Sequence, residues 1–390
     1  MSRRSSLVCA FCAVGMLALP SLARGGGYQY ALIGQPSLLG TPLAFSVSMN
    51  GQGVVAFIAL QSGFMTVLRG SGGALATVAV DDPDAGDTIG AATSIDEALA
   101  VAFAGTTAGV AGVYVAEAGA APVALYDAGG PLKAFGDPAL NGAGEVVFRA
   151  TDDLDRTRIA IGDGSAPAAT IADETLGTLG IPVSLNSSGA TAFTVTTAGG
   201  VTQVVRGSRS GITPIADDGE TSGLCCISGS PTVDDAGVVA FAARRDAGIG
   251  PPAAAILEGS GGGLAIVVDE LGPFQALTRP IINAAGRVAF LGTLDSGEQG
   301  IWTGANPVKD KVIQTGDTLF GLPVTSVLLG GFNAGGQVAF GATLDDGSLL
   351  GKSVVVRADP TPEPASGAAA LAAAAALASV RRIRASGTPR

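Results

Sequence analysis

The sequence predicts an all-β fold: a seven-bladed β-propeller of four-stranded blades, closed by an N-terminal strand. Three observations carry this expectation. Seven copies of the pattern Asn/Asp-x-x-Gly-x-Val-Ala-Phe recur, with phenylalanines at Phe57, Phe103, Phe148, Phe193, Phe241, Phe290 and Phe340. These positions lie 45 to 50 residues apart, a period too short to bury a core alone and typical of repeat architectures. Each period divides into short strands set off by Gly, Asn and Asp, and the array has a strand to spare at its start and one too few at its end.

Taken in chain order, the first element is a signal peptide over residues 1–23. Arg3 and Arg4 give a basic start, Leu7 to Leu19 is apolar, and Ser21-Leu22-Ala23 places small residues at a cleavage site after Ala23. The twin arginines lack the bulky apolar residue expected at Ser6, which points to an ordinary Sec signal. Next comes the spare strand, Tyr28 to Ile33. It stands before the first unit as Lys311 to Gln314 stands before the last.

The fourth unit displays the repeat. Ile181 to Leu185 leads into the turn Asn186-Ser187-Ser188-Gly189, followed by strands at Ala190 to Thr197, Val201 to Gly207 and Ile212 to Ala216, the last ending at Asp217. The turn glycine supplies positive φ at no steric cost. In the second unit Asp96 is followed by Leu99 instead, so a different turn is expected there. Along the Phe-bearing strand large and small residues alternate, as in Val55, Ala56 and Phe57, giving one bulky and one flat face. Such sheets stack large against small, which is how propeller blades pack. The seventh unit has Val324 to Leu329, Gln337 to Thr343 and Ser353 to Arg357 but no fourth strand, and Tyr28 to Ile33 is expected to supply it. Closure also hides sheet edges that an open array would expose. The propeller thus spans residues 24–359.

Residues 360–390 form a second processing signal. Pro362-Glu363-Pro364 precedes an uncharged Ala/Leu span, 365–380, and then Arg381-Arg382-Ile383-Arg384, a stop-transfer arrangement. This resembles the PEP-CTERM sorting tag of bacterial surface proteins, although the span is mostly alanine and the tail runs on to Arg390. The resemblance implies handling by exosortase-type sorting machinery, transient membrane anchoring through a hydrophobic C-terminal helix, and delivery to the envelope surface or extracellular matrix. The repeats in turn resemble the Pro-Asp-Gly repeats of TolB-type propellers, with Asn/Asp-x-x-Gly replacing their turn. Neither resemblance brings an activity with it.

The formal charge is −11, and about −17 without the six terminal arginines, which disfavours nucleic acid and suits a soluble exported protein. The absence of histidine excludes Ser-His-Asp and Cys-His catalysis and His-ligated metals. Gly70-Ser71-Gly72-Gly73 and Gly259 to Gly263 recur at one place in their repeats and read as hairpins, since no Gly-Lys-Ser/Thr follows. Asp81, Asp82, Asp84 and Asp87 offer hard oxygen ligands suited to calcium, the sole cofactor candidate, but without the spacing of an EF-hand. Asp81 also falls where Asp127, Asp173, Asp217 and Asp269 end strands in other units, so a recurring turn role competes with the metal. Asp152-Asp153-Leu154-Asp155 reads as a solvated hairpin tip. Cys225 and Cys226 are adjacent, and a strained vicinal disulfide and two free thiols are equal alternatives.

These residues favour an exported, non-catalytic binding or structural protein contacting extracellular polysaccharide or envelope proteins. The alternative is a carboxylate-dependent polysaccharide hydrolase or lyase, whose mark would be two or more buried carboxylates converging at the channel mouth.

Overall fold

The computed structural model describes residues 23–25, 27–35, 46–181, 184–246 and 251–361. Most of the signal peptide lies outside these residues, as do the tag residues Pro362, Glu363, Pro364, Arg381 and Arg382 and the span 365–380. Among the described residues there is no helix long and apolar enough to cross a membrane.

Seven antiparallel sheets follow one another along the chain, each with at least four strands ordered from inner to outer. Blade 1 runs Val47–Met49, Val55–Gln61, Phe64–Gly70 and Ala76–Val80. The inner strands of blades 2, 5, 6 and 7 are Thr88–Ile95, Leu224–Val233, Phe274–Ile282 and Leu322–Phe332. Blade 3 splits its inner strand into Leu132–Phe135 and Ala139–Leu140. In blade 4 the innermost pairing comes from Thr178–Leu179 and a single bridge between Leu185 and Thr191, not from the continuous strand the sequence suggests. Its remaining strands, Thr191–Thr196, Thr202–Ser208 and Gly211–Asp217, fall within a residue or two of expectation at each end.

The alternation of large and small side chains becomes the inter-blade core. Ala56 of blade 1 packs with Phe103 of blade 2, Ala102 with Phe148, and Val147 with Phe193. Ala192 meets Phe241, Ala240 meets Phe290, Ala289 meets Phe340, and Ala339 of blade 7 returns to Phe57 of blade 1. All seven repeat phenylalanines are buried to 1% exposure or less. Each blade alone has only half of a core, and the ring completes seven of them.

The ring closes as the strand count requires. Tyr28–Gly34 pairs antiparallel with Lys352–Pro360, setting Tyr30 opposite Ala358, Ala31 opposite Arg357 and Leu32 opposite Val356. Ala23–Gly25 adds a further antiparallel strand to its outer edge. Tyr30 anchors the closure: its ring meets Phe340 edge-on with centroids 6.3 Å apart, and its hydroxyl donates to the Val312 carbonyl of blade 6.

One sequence expectation is corrected. The turn at Asp96 does not differ from the others. Leu99 adopts φ 71° where Gly53 has 77° and Gly189 has 77°. The backbone bonds match too: Leu99 N–H to the Asp96 carbonyl at 3.2 Å, and Gly53 N–H to that of Asn50 at 3.1 Å. Tertiary context imposes the repeat's geometry on a residue that avoids it.

Candidate functional site

Every blade repeats the same up-and-down course, so its connections divide between two faces of the ring. One face, the turn face, carries the Asn/Asp-x-x-Gly turns and the third-to-outer hairpins. The other, the hairpin face, carries the second-to-third hairpins and the crossovers to the next blade.

The turn face is built by its Asn and Asp residues. Asn50, Asp96, Asn141, Asn186, Asp234, Asn283 and Asn333 are all between 2% and 7% exposed. Each carboxamide oxygen serves its own turn, as when Asn50 Oδ1 accepts the N–H groups of Gln52 and Val54 at 3.1 and 2.9 Å. The amide nitrogen reaches the next blade. Asn50 donates to the Asp96 carbonyl at 2.9 Å, Asn141 to that of Asn186 at 3.1 Å, and Asn186 to that of Asp234 at 2.9 Å. Asn283 donates to the Asn333 carbonyl at 2.7 Å, and Asn333 closes the circle on Asn50 at 3.3 Å. Asp96 and Asp234 have no amide hydrogens, so the circuit lacks its donor at those two blades. Sequence reasoning recognised the turn and missed this second role, which the Asn preference at five of seven positions already signals. The Asn side chains of this face thus hold blade to blade.

The inner strands are also occupied with holding the ring together. Ser94 Oγ accepts the Leu140 N–H at 2.9 Å, Ser184 Oγ that of Val233 at 3.0 Å, and Thr232 Oγ1 that of Ile282 at 3.0 Å. The inner strands described above contain no Asp or Glu. One carboxylate, Asp137, stands between the two inner segments of blade 3. Burial raises its pKa, partly offset by a hydrogen bond from the backbone of Ala92 in blade 2.

The hairpin face presents apolar side chains to solvent. Phe64 of blade 1 is 43% exposed, Val110 of blade 2 41%, Leu154 of blade 3 71%, and Leu349 and Leu350 of blade 7 99% and 51%. All sit at or beside the second-to-third hairpins of four consecutive blades, 7, 1, 2 and 3. The corresponding hairpin of blade 6, Asp295 to Glu298, is polar.

The proposed calcium loop crosses from blade 1 to blade 2 on this same face. Asp82 Oδ1 accepts the N–H groups of Asp84 and Ala85 at 3.1 and 3.3 Å, and Asp87 Oδ1 accepts that of Ala108 at 2.7 Å. Burial raises the Asp81 pKa. Asp127, Asp173, Asp217 and Asp269 likewise each accept the N–H two residues on, at 2.9 to 3.1 Å. These carboxylates secure turns and hairpins, except Asp81, whose Oδ1 is buried without a hydrogen-bond partner. Among the described residues no three acidic, His or Cys side chains gather around a common point.

Asp152 departs from its expected place at a solvated tip, because it is only 4% exposed. Burial opposes its charge, but Arg156 bonds it through Nε at 2.9 Å and Nη2 at 2.7 Å, and Arg158 also pairs with it. Together with the Arg156 and Leu154 N–H groups, these bonds hold its carboxyl well below the usual range. Arg158 also lines a cavity of about 270 Å³ between blades 2 and 3, with Tyr126 and Leu132 on its other walls. Cys225 and Cys226 are free thiols at the start of the blade 5 inner strand.

Comparison with known proteins adds the following. A family of unknown function, DUF7453, matches residues 155–328, from the third blade into the seventh. No curated protein matches the chain. An oligogalacturonate lyase solved in complex with manganese is 12% identical, aligns over 88% of this chain and 96% of its own, and has a TM-score of 0.54. The β-propeller domain of the Trilobed protease from Pyrococcus furiosus is 12% identical over 77% and 93%, with a TM-score of 0.49. The polysaccharide lyase Uly1 is 11% identical over 87% and 94%, with a TM-score of 0.45. At these identities the likeness concerns the fold alone.

Proposed function

We propose that this chain is an exported, surface- or matrix-associated protein that binds a partner without transforming it, and that the hairpin face of blades 7, 1, 2 and 3 is the binding face. The observation that carries the reading is the set of apolar tips at Phe64, Val110, Leu154, Leu349 and Leu350. Exposed apolar side chains at corresponding places on neighbouring blades fit an interaction surface. Aliphatic tips with a single aromatic favour an envelope protein over a polysaccharide, since sugar rings are gripped mainly by aromatic faces.

The course of the chain supports the same orientation. Thr361 donates its N–H to the Gly27 carbonyl at 2.7 Å, so the polypeptide leaves the propeller on the turn face. A sorting tag attached at Pro362 and handled by an exosortase-type enzyme would anchor that face and leave the hairpin face pointing outward.

The test is retention of the purified propeller on immobilised envelope proteins and on matrix polysaccharide, with polysaccharide breakdown products monitored in parallel. Converting Phe64, Leu349 and Leu350 together to Ser is expected to weaken binding at least about tenfold without lowering the melting temperature, because hot spots concentrate in such anchors. Product release that disappears in Asp137→Asn would replace this reading with a carboxylate-dependent hydrolase or lyase.

A further inference from the structure

Two adjacent thiols occupy an unusual piece of backbone. Cys225 pairs with Arg244 across the blade 5 sheet, the next pair is Ser228 with Ala242, and the register breaks again before Thr232. Within that interruption Cys226 adopts φ 57°. An extended strand throws neighbouring side chains to opposite faces. A left-handed residue breaks that alternation at a cost in strain, and such strain concentrates at functional positions. Cys226 is exposed and Cys225 is half-buried, so both sulfurs are within reach of a reagent.

From the bulge, the left-handed Cys226 and the exposure of both sulfurs, we infer that Cys225 and Cys226 form a chelating dithiol site for a trivalent, thiophilic metalloid centre. Two free, accessible sulfurs on neighbouring residues, one of them in a left-handed conformation, offer a soft atom two ligands from one short segment. Thiolates select soft centres. Among the described residues no third His, Cys, Asp or Glu joins the pair, so the site suits a centre needing only two protein ligands. Zinc takes four in structural sites and is disfavoured. With a monosubstituted arsenic(III) oxide the reaction is balanced without any redox change. Two As–S bonds form, the As=O bond breaks, and the two thiol protons leave with the oxygen as one water. The second As–S bond closes a small ring that includes the single peptide link between the two cysteines, so it gains the advantage of a tethered second contact. The site lies at the start of the blade 5 inner strand, on the hairpin face, and does not depend on the partner proposed above.

The experiment uses the full-length chain carrying Cys9→Ser and Cys12→Ser, reduced beforehand, with phenylarsine oxide as the probe. The expected result is a one-to-one adduct by intact mass that blocks both thiols from maleimide. It should survive excess glutathione and be released by a dithiol such as 2,3-dimercaptopropanol. Cys225→Ser and Cys226→Ser are each expected to weaken binding at least about 100-fold and to make the adduct glutathione-reversible, the loss of a tethered second bond. Adducts equally tight in the single variants, or free maleimide labelling of both cysteines in the presence of the arsenical, would overturn the inference. Zinc binding as tight as that of the arsenical would overturn the two-ligand argument.

Discussion

Leu99 is where the repeat demands most of a single residue. It holds φ 71° in a turn built for glycine, and its side chain is only partly buried. A non-glycine residue in the left-handed region costs roughly 1–2 kcal/mol. Leu99→Gly is therefore expected to stabilise the protein by about 1 kcal/mol, the lost leucine contacts taking back part of the gain, as urea melts would read. Next to it, Asp96 interrupts the circuit of amide donors. Burial is the main cause that raises its pKa, with Glu97 and Glu117 adding repulsion against the bonds from Ala100 and Ala98. A raised carboxyl pKa means that the folded state binds the proton more tightly than the unfolded one. The stability this group contributes is present below the usual carboxylate value and lost as pH rises through the raised one. Asp96→Asn removes that loss and supplies the missing donor to blade 3. It is expected to stabilise by about 1 kcal/mol near neutrality. The gain should shrink as the melts are carried to acid pH and the aspartate takes up its proton. A gain independent of pH would show that Asp96 remains charged at no cost.

At the scale of the strand and the turn, much was legible because two local periodicities act together. The period of two placed Val55 and Phe57 on one face and Ala56 on the other, and the packing of Ala56 on Phe103 and Ala339 on Phe57 follows that division. The positive-φ glycines marked the turns wherever a glycine was present, and failed at Leu99 because ring geometry overrides local preference. What stayed hidden depends on three-dimensional contacts: between blades, the Asn50 to Asp96 bond and the reach of Arg357 Nη1 to the Gly53 carbonyl at 2.7 Å, and within the blade 3 hairpin, the pairing of Arg156 and Arg158 with Asp152. The apolar tips could have been picked out as large aliphatic residues inside polar hairpins, a pattern that conflicts with ordinary turn composition. The proposed binding face is therefore legible as an anomaly, while its partner leaves no mark in the sequence. The packing claim is open to a direct test. Phe193 is fully buried against Val147, Ile159 and Ile161 of the preceding blade. Phe193→Ala should cost about 3–5 kcal/mol, as truncation of a buried aromatic does. A urea midpoint unchanged from the parent would mean that the flat-on-bulky interface contributes nothing.

For the whole molecule, closure is the property that no single repeat contains. Blade 7 takes its three long strands from its own unit, with the two-residue strand Thr318–Leu319 at the inner edge, and Tyr28–Gly34 supplies the outer strand from the other end of the chain. This couples the first and last blades twice, through the shared sheet and through the Asn333 to Asn50 bond. Opening the ring exposes the backbone edge of Lys352–Pro360, an invitation to strand addition by another molecule. It also removes Tyr30, buried to 2% exposure, from its place on Phe340 and beneath Val312. Deletion of residues 24–34 is therefore expected to lower the melting temperature, to broaden the transition as the blades lose cooperativity, and to promote aggregation and proteolysis. The chain should remain all-β, because the other six blades keep their own four strands. A synthetic peptide covering Gly27 to Gln35 should restore part of the lost stability in a concentration-dependent way, since it can re-enter as the outer strand. Tyr30→Ser in that peptide should abolish the rescue, because the hydrogen-bonded edge without its aromatic anchor loses the buried contact with blade 6. If the truncated chain melts at the full-length temperature, stays monomeric and ignores the peptide, then the ring is held by the inter-blade cores alone and the closing strand is dispensable.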